Sequence, residues 1–187
     1  MTRPVSSLYH HELTDKKRRI YTAIARGKEK ADSEVQVFFR ADDIGFQSSA
    51  FSAMIDCFTS HGVPLCLATV PVWLNTSRLA ELRRSTGNSS QWYWHQHGRL
   101  HHNFQLTGKK MEFGPDRSPE TVRDQLQLGR ERLERILRKD FQPVFTPPWN
   151  RCSAATLQAL AELGYHGLSR SRGAKPEQPA TLPEFSI

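Results

Sequence analysis

Cysteine is scarce. The 187 residues contain three, Cys57, Cys66 and Cys152, widely spaced and without a CxxC pair. That pattern argues against a disulfide framework and against a thiolate zinc site. The apolar neighbours of Cys57 and Cys66 predict that both thiols are buried. Long hydrophobic runs are missing too. The most apolar stretch, 63–74, is short and interrupted by Pro64 and Pro71, so it cannot span a bilayer. Residues 1–19 carry no apolar segment of the signal-peptide kind. The expectation is a cytoplasmic protein with no membrane partner. Acidic charge is in the minority, with 19 Asp and Glu against 26 Lys and Arg and a net charge of +7. Such an excess attracts polyanions in many proteins. Here the basic residues gather at Lys16 to Arg19 and at 130–139, the latter interleaved with Glu131, Glu134 and Asp140 as on a solvated helix face. No groove-reading or base-stacking motif accompanies them, so a nucleic-acid partner is not expected.

What is present is an ordinary globular composition, 37% hydrophobic and 24% charged, at a length that buries roughly 70% of the unfolded surface. Residues 1–34 read as a polar extension with a helix over 13–28. From 35 the pattern alternates. Val35-Gln-Val-Phe-Phe-Arg40 is strand-like, 49–61 carries Phe51, Met54, Ile55 and Phe58 at helical spacing and stops at Gly62, and 64–70 is a second apolar strand. The alternation continues with a helix over 75–85 and a strand over 91–95. A long helix opens at Ser118-Pro119 with apolar Val122, Leu126, Leu133, Ile136 and Leu137. A strand over 142–146, a helix over 153–163 closed by Gly164, and a strand over 165–169 follow. The segment 183–187 begins a sixth strand. Strands and helices in alternation predict a parallel α/β fold, open or barrel-like.

In such folds the working groups gather at the carboxyl ends of the strands. Three strand ends stand out. The first carries Asp42-Asp43 before Gly45. Adjacent strand residues point to opposite faces, so the pair converges if the backbone turns, as Gly45 permits. Two neighbouring carboxylates then suit a bound cation, or one of them is a helix N-cap. The third strand ends in His95-Gln-His97-Gly-Arg-Leu-His101-His102, four of the chain's eight histidines. His97 and His101 lie on one face if the chain turns helical there, and His95 shares the strand parity of His97. The cluster is either solvated or, with Asp43, a two-histidine, one-carboxylate set suited to zinc with a position open to water. The fourth strand ends in Thr146-Pro-Pro148-Trp149-Asn-Arg151. Its prolines stiffen the exit, and its indole is either a core residue or a flat face for a sugar ring. Trp73 follows a strand and could line a cleft, whereas Trp92 and Trp94 read as packing residues.

In this order the three segments resemble the polysaccharide deacetylase family of metal-dependent carbohydrate esterases. Its aspartate pair is matched by Asp42-Asp43, its His-(Ser/Thr)-x-x-His by His97 to His101 with Gly98 in place of the hydroxyl residue, and its Arg-x-Pro-Tyr-like turn by Thr146 to Trp149. The resemblance covers about 35–170. It implies a distorted (β/α)7 barrel that removes acetyl groups from a carbohydrate. By carry-over Asp43, His97 and His101 bind the metal, zinc or another divalent transition ion. Asp42 is the general base toward an attacking water, and Pro148, Trp149 and Arg151 face the substrate. Thr146 stands where the family has an arginine that orients the base, a part left to Arg151 or Arg40. The family's later histidine acid has no match. Five strands and the start of a sixth leave a seven-stranded barrel unfinished over 35–187, which predicts completion by a missing C-terminal segment or another chain. The competing function is a metal-containing sugar-binding module. A basic nucleic-acid binder is the third.

Overall fold

The computed structural model describes residues 14–31 and 37–187. The chain divides into two compact units, Met1–Val37 and Phe38–Ile187. In the first, helix α1 (Lys16–Glu29) follows Asp15, whose left-handed backbone (φ 58°) marks the helix start. The helix is exposed along its length, Ile20, Tyr21 and Ile24 included. Leu13, where the periodicity began, lies outside the described residues.

The second unit alternates β1 (Arg40–Ile44), α2 (Ser49–His61), β2 (Leu65–Thr69), α3 (Thr76–Thr86), β3 (Trp92–His97), α4 (Pro119–Leu137), β4 (Phe141–Thr146), α5 (Ala154–Glu162), β5 (Gly167–Arg170) and β6 (Glu184–Ser186). The described strands form one parallel sheet in the order β1 to β6. The sheet curls into a half-barrel, a partial (β/α) barrel with β1 and β6 as its edges. Local chemistry starts the helices. The side-chain oxygens of Ser48, Asn75, Ser118 and Ser153 accept the backbone N–H of Phe51, Arg78, Thr121 and Thr156, and Pro119 occupies the first turn of α4.

The first strand lies further along the chain than the apolar run predicts. Val35 and Gln36 fall outside the described residues, and 37–39 are not strand. A parallel strand forms where a neighbour offers hydrogen bonds, and β2 pairs with Arg40, Ala41 and Ile44. Phe38 and Phe39 lead into it, half exposed, with Phe39 edge-on to Phe58 at 5.4 Å and Phe38 edge-on to Phe185 at 6.4 Å.

Side-chain alternation along the strands places the core and the site on opposite faces. Leu65, Leu67, Trp92, Trp94 and Phe141 face the helices and pack with Phe51 and Ile55 of α2, Leu79 and Leu82 of α3, and Leu133 and Leu137 of α4. A second cluster joins Phe145 and Leu168 to Val122 and Leu126 of α4 and Leu157 and Leu160 of α5. The other parity, Cys66, Ala68, His95, His97, Thr146 and Ser169, lines the inner face. Trp92 and Trp94 pack as expected, and the Trp92 indole donates to Thr86 O at 2.7 Å.

Two thiols depart from expectation. Cys57 is exposed and Cys66 half-buried. Helix α2 turns its Phe51 and Ile55 stripe to the sheet, which leaves residue 57 on the opposite side, and Cys66 points into the open barrel. Cys152 is buried, 4.0 Å from Arg170 Nη1, whose guanidinium is wholly buried and paired with Glu184 at 2.7 Å. Burial pushes the Cys152 thiol up to about 11, against the pull of Arg170. A thiol raised in the folded state stabilises the fold below its ordinary value of 9.0 and loses that contribution as pH rises through about 11. Alkaline unfolding titrations should therefore show a loss of about 3 kcal/mol between those pH values that Cys152→Ala lacks. Identical alkaline limbs in the two proteins would contradict it.

Candidate active site

The carboxyl ends of β1, β3 and β4 meet, and irregular backbone is what brings their side chains together. Six non-glycine residues among those described have positive φ, and four of them are Asp43 (61°), His101 (54°), Trp149 (57°) and Asn150 (57°). Such conformations cost of order 1–3 kcal/mol each and concentrate where a site demands a particular aim. At β1 the register against β2 shifts between Ala41 and Ile44. The turn that lets the two aspartates share one site is thus at Asp43 itself rather than at Gly45. Gly45 serves a different need, since a Cβ there would lie 2.5 Å from Trp73 Cβ.

His97 and His101 both reach Asp43. Their Nε2 atoms lie 3.3 and 3.1 Å from Asp43 Oδ1. The segment between them is not helical. Gly98 (φ 60°) and His101 turn the chain instead, so the convergence comes from a loop and not from helical spacing. His95 shares the inner face but not the cluster. Its Nε2 lies 2.9 Å from Thr146 Oγ1, and burial pushes its imidazole down to about 4. It is a buried neutral residue beneath the site.

The donor set suits a divalent transition ion. One ligand atom from each of Asp43, His97 and His101 lies within 4.8 Å of the others. His97 Nδ1 donates to Thr146 O at 2.9 Å, which fixes the ring so that Nε2 is the atom facing Asp43. Burial lowers the pKa of His101 and so favours the neutral ring that a metal needs. The hydrogen bond with His97 holds the Asp43 carboxyl below its usual range, with the charges of both histidines adding to it against partial burial. One anionic oxygen and two imidazole nitrogens match the ligand preference of zinc and its neighbours.

Asp42 is held from behind. Arg40 Nε and Nη2 donate to its Oδ1 and Oδ2 at 2.7 and 2.9 Å, a bidentate pair whose guanidinium is almost wholly buried. The same guanidinium donates to Ser169 Oγ at 2.7 Å, Ser169 O at 3.1 Å and Asn150 Oδ1 at 2.8 Å. Of the two arginines the sequence left open, Arg40 is the one that bonds Asp42. Arg151 is half-buried beyond the turn and does not bond Asp42. Thr146 instead anchors His97 through its carbonyl and His95 through its hydroxyl.

The turn after β4 sets the aromatic wall. Consecutive left-handed residues at Trp149 and Asn150 bring the indole of Trp149 to 4.8 Å from the His101 ring and Asn150 to Arg40. Trp73 flanks His101 on another side at 5.5 Å, with Phe46 at 6.1 Å from Trp73. Lys110 Nζ is 5.9 Å from the Trp149 ring. Pro148 is buried and lies against Gly98. A cavity of about 230 Å³ beside both aspartates is lined by Phe46, Phe51 and Met54. Asn150, Phe46 and Lys110 escaped the sequence reading. Adjacency to Trp149 could have pointed to Asn150, while nothing local marks the other two.

The fold is a partial (β/α) barrel like that of the CE4 polysaccharide deacetylases. Among solved structures, the chain is similar to IcaB from Ammonifex degensii, with a TM-score of 0.61 and 14% identity over 81% of this chain and 66% of that one. It is similar to the Streptococcus pyogenes deacetylase PplD in complex with acetate, with a TM-score of 0.54 and 14% identity over 85% and 64%. It is similar also to a CE4 family pseudoenzyme from Bacillus anthracis, with a TM-score of 0.53 and 12% identity over 71% and 42%. The chain thus spans two thirds or less of the length of these structures. No family model and no curated protein matches the sequence. No helix among the described residues is long and apolar enough to cross a membrane.

Proposed function

We propose that residues 35–187 form a metal-dependent hydrolase domain that removes acetyl groups from an acetylated carbohydrate, with 1–34 as an extension. The observation that carries this reading is the meeting of Asp43, His97 and His101 beside a second carboxylate, Asp42, clamped by a buried arginine. Asp43, His97 and His101 would hold a divalent ion, zinc by their chemistry. Bound there, it would supply Lewis acidity at the acetyl carbonyl and lower the pKa of water.

The chain's own residues do the rest. A carboxylate has about four acceptor positions, and Arg40 uses one on each oxygen of Asp42. Asp42 can therefore accept a proton from the attacking water while Arg40, Ser169 and Asn150 keep it aimed. Water adds to the acetyl carbon, the carbon–nitrogen or carbon–oxygen bond breaks, and acetate leaves. The proton taken by Asp42 is available to the departing amine or hydroxyl. Trp149 offers the flat face for a sugar ring, with Pro148 and Arg151 on the same turn.

Zinc-loaded protein incubated with an acetylated oligosaccharide should release acetate, and a chelator should stop it. Retained metal and glycan binding without acetate release would favour the second reading, a metal-containing sugar-binding module. A pseudoenzyme of similar fold supports that second reading. Failure to bind zinc would overturn both.

A further inference from the structure

The His97–His101 turn carries a feature that neither the ligand set nor the base explains. Glu112, from the connection between β3 and α4, is wholly buried. Its carboxylate accepts three consecutive backbone N–H groups, with Oε1 at 3.0 Å from Arg99 N and 2.7 Å from Leu100 N, and Oε2 at 3.0 Å from His101 N. A run of backbone donors converging on one anion is a nest, and here the anion is a side chain of the same protein.

Glu112 is itself fixed from both sides. Phe113, the next residue, is fully buried, bridges to Cys152 and accepts the N–H of Ser153 at 2.8 Å. On the other side Met111 accepts the N–H of Phe104 at 3.0 Å and donates to Asn103 Oδ1 at 2.9 Å. The space the carboxylate fills is kept open by Gly98. A Cβ at that position would collide with Glu112 Oε2 and would lie 2.6 Å from Pro148 Cγ, and its backbone is left-handed. Glycine here thus accommodates both the turn and the glutamate.

We propose that Glu112 is the positioning residue for His101, its buried carboxylate holding 99–101 in the turn, left-handed at His101, that aims the imidazole at Asp43. The inference rests on reading Asp43, His97 and His101 as metal ligands. Removing the carboxylate leaves three backbone donors unpaired in a buried place, which a turn escapes by rearranging. His101 then swings away from the ligand geometry while His97, on the strand, stays. Partners that orient a metal ligand in this way are worth about 10- to 100-fold in metal affinity.

The test uses the full chain. Glu112→Gln keeps size and shape but sets an NH2 against a backbone N–H. It should speed hydrogen exchange at the amides of 99–101, weaken the zinc Kd by about 10- to 100-fold in chelator competition, and alter the visible spectrum of the cobalt(II)-loaded protein. Glu112→Asp keeps the charge but shortens the reach, so it should weaken zinc as well, and it serves if the glutamine variant does not fold. Either folded variant with the wild-type zinc Kd and cobalt spectrum overturns the proposal. Unprotected amides at 99–101 in the wild type overturn it without any variant. Wild-type protein that binds neither ion overturns the metal reading itself, so the two failures are distinct.

Discussion

Asp43→Asn is expected to strip the protein of its metal while leaving the fold intact. The wild type should retain about one divalent ion per chain through dialysis at neutral pH. The variant should bind zinc more than about 100-fold more weakly, since even partners that only orient a ligand are worth 10- to 100-fold. The size of the effect follows from charge. Asp43 supplies the anionic oxygen of the cluster, and both imidazoles point at its Oδ1. Asparagine suits the test better than alanine. The backbone at 43 is left-handed, a conformation that asparagine tolerates and that strains alanine. The side chain is 55% exposed, so its neutral form meets water and unfolding of the metal-free protein should change little. Acetate release should fall with the metal and recover in part at high zinc. Undiminished zinc content in the variant would remove Asp43 from the ligand set.

Asp42→Asn should do the reverse, leaving zinc bound and lowering turnover by about 10² to 10⁴, the usual worth of a general base. The amide cannot accept a water's proton to the same end, and its NH2 faces the donors of Arg40. Part of the loss is therefore positional. Arg40→Gln separates the two contributions. It keeps the base but removes the clamp, and it frees Ser169 and Asn150 as well. Its rate loss should be smaller, and in the double variant the two losses should not add, because both act on one carboxylate. Near-wild-type turnover in Asp42→Asn, with metal retained, would assign the base elsewhere.

How much of this was legible beforehand differs from one residue to the next. Asp42, Asp43, His97 and His101 were legible as types at strand ends, and they do meet. Helical spacing predicts that the two histidines converge, whereas a loop built on Gly98 and His101 brings them together. His95 had the right parity and the wrong depth. The β3 strand runs two residues past His95, so His97 and not His95 stands at its end. The apolar 37–39 run reads as strand, yet the register with β2 begins at Arg40, and of that run Phe39 gives only its carbonyl to the Cys66 N–H. Glu112 was invisible, since a single acid between Met111 and Phe113 has no local mark of its role.

The sequence by itself determined the order of strands and helices, the capping of four helices by Ser48, Asn75, Ser118 and Ser153, and which residue types stand at the strand ends. These depend on periodicity and on hydrogen bonds within a few residues, which local sequence encodes. Tertiary structure decided which way those residues aim. The bulge at Asp43 exists because β1 pairs with β2, and the clamp on Asp42 depends on Arg40 meeting Ser169, 129 positions away. His101 is set by a carboxylate 11 positions on. Such contacts form between groups that only the folded chain brings within hydrogen-bonding reach, where burial makes an unpaired donor or charge costly enough to select one arrangement.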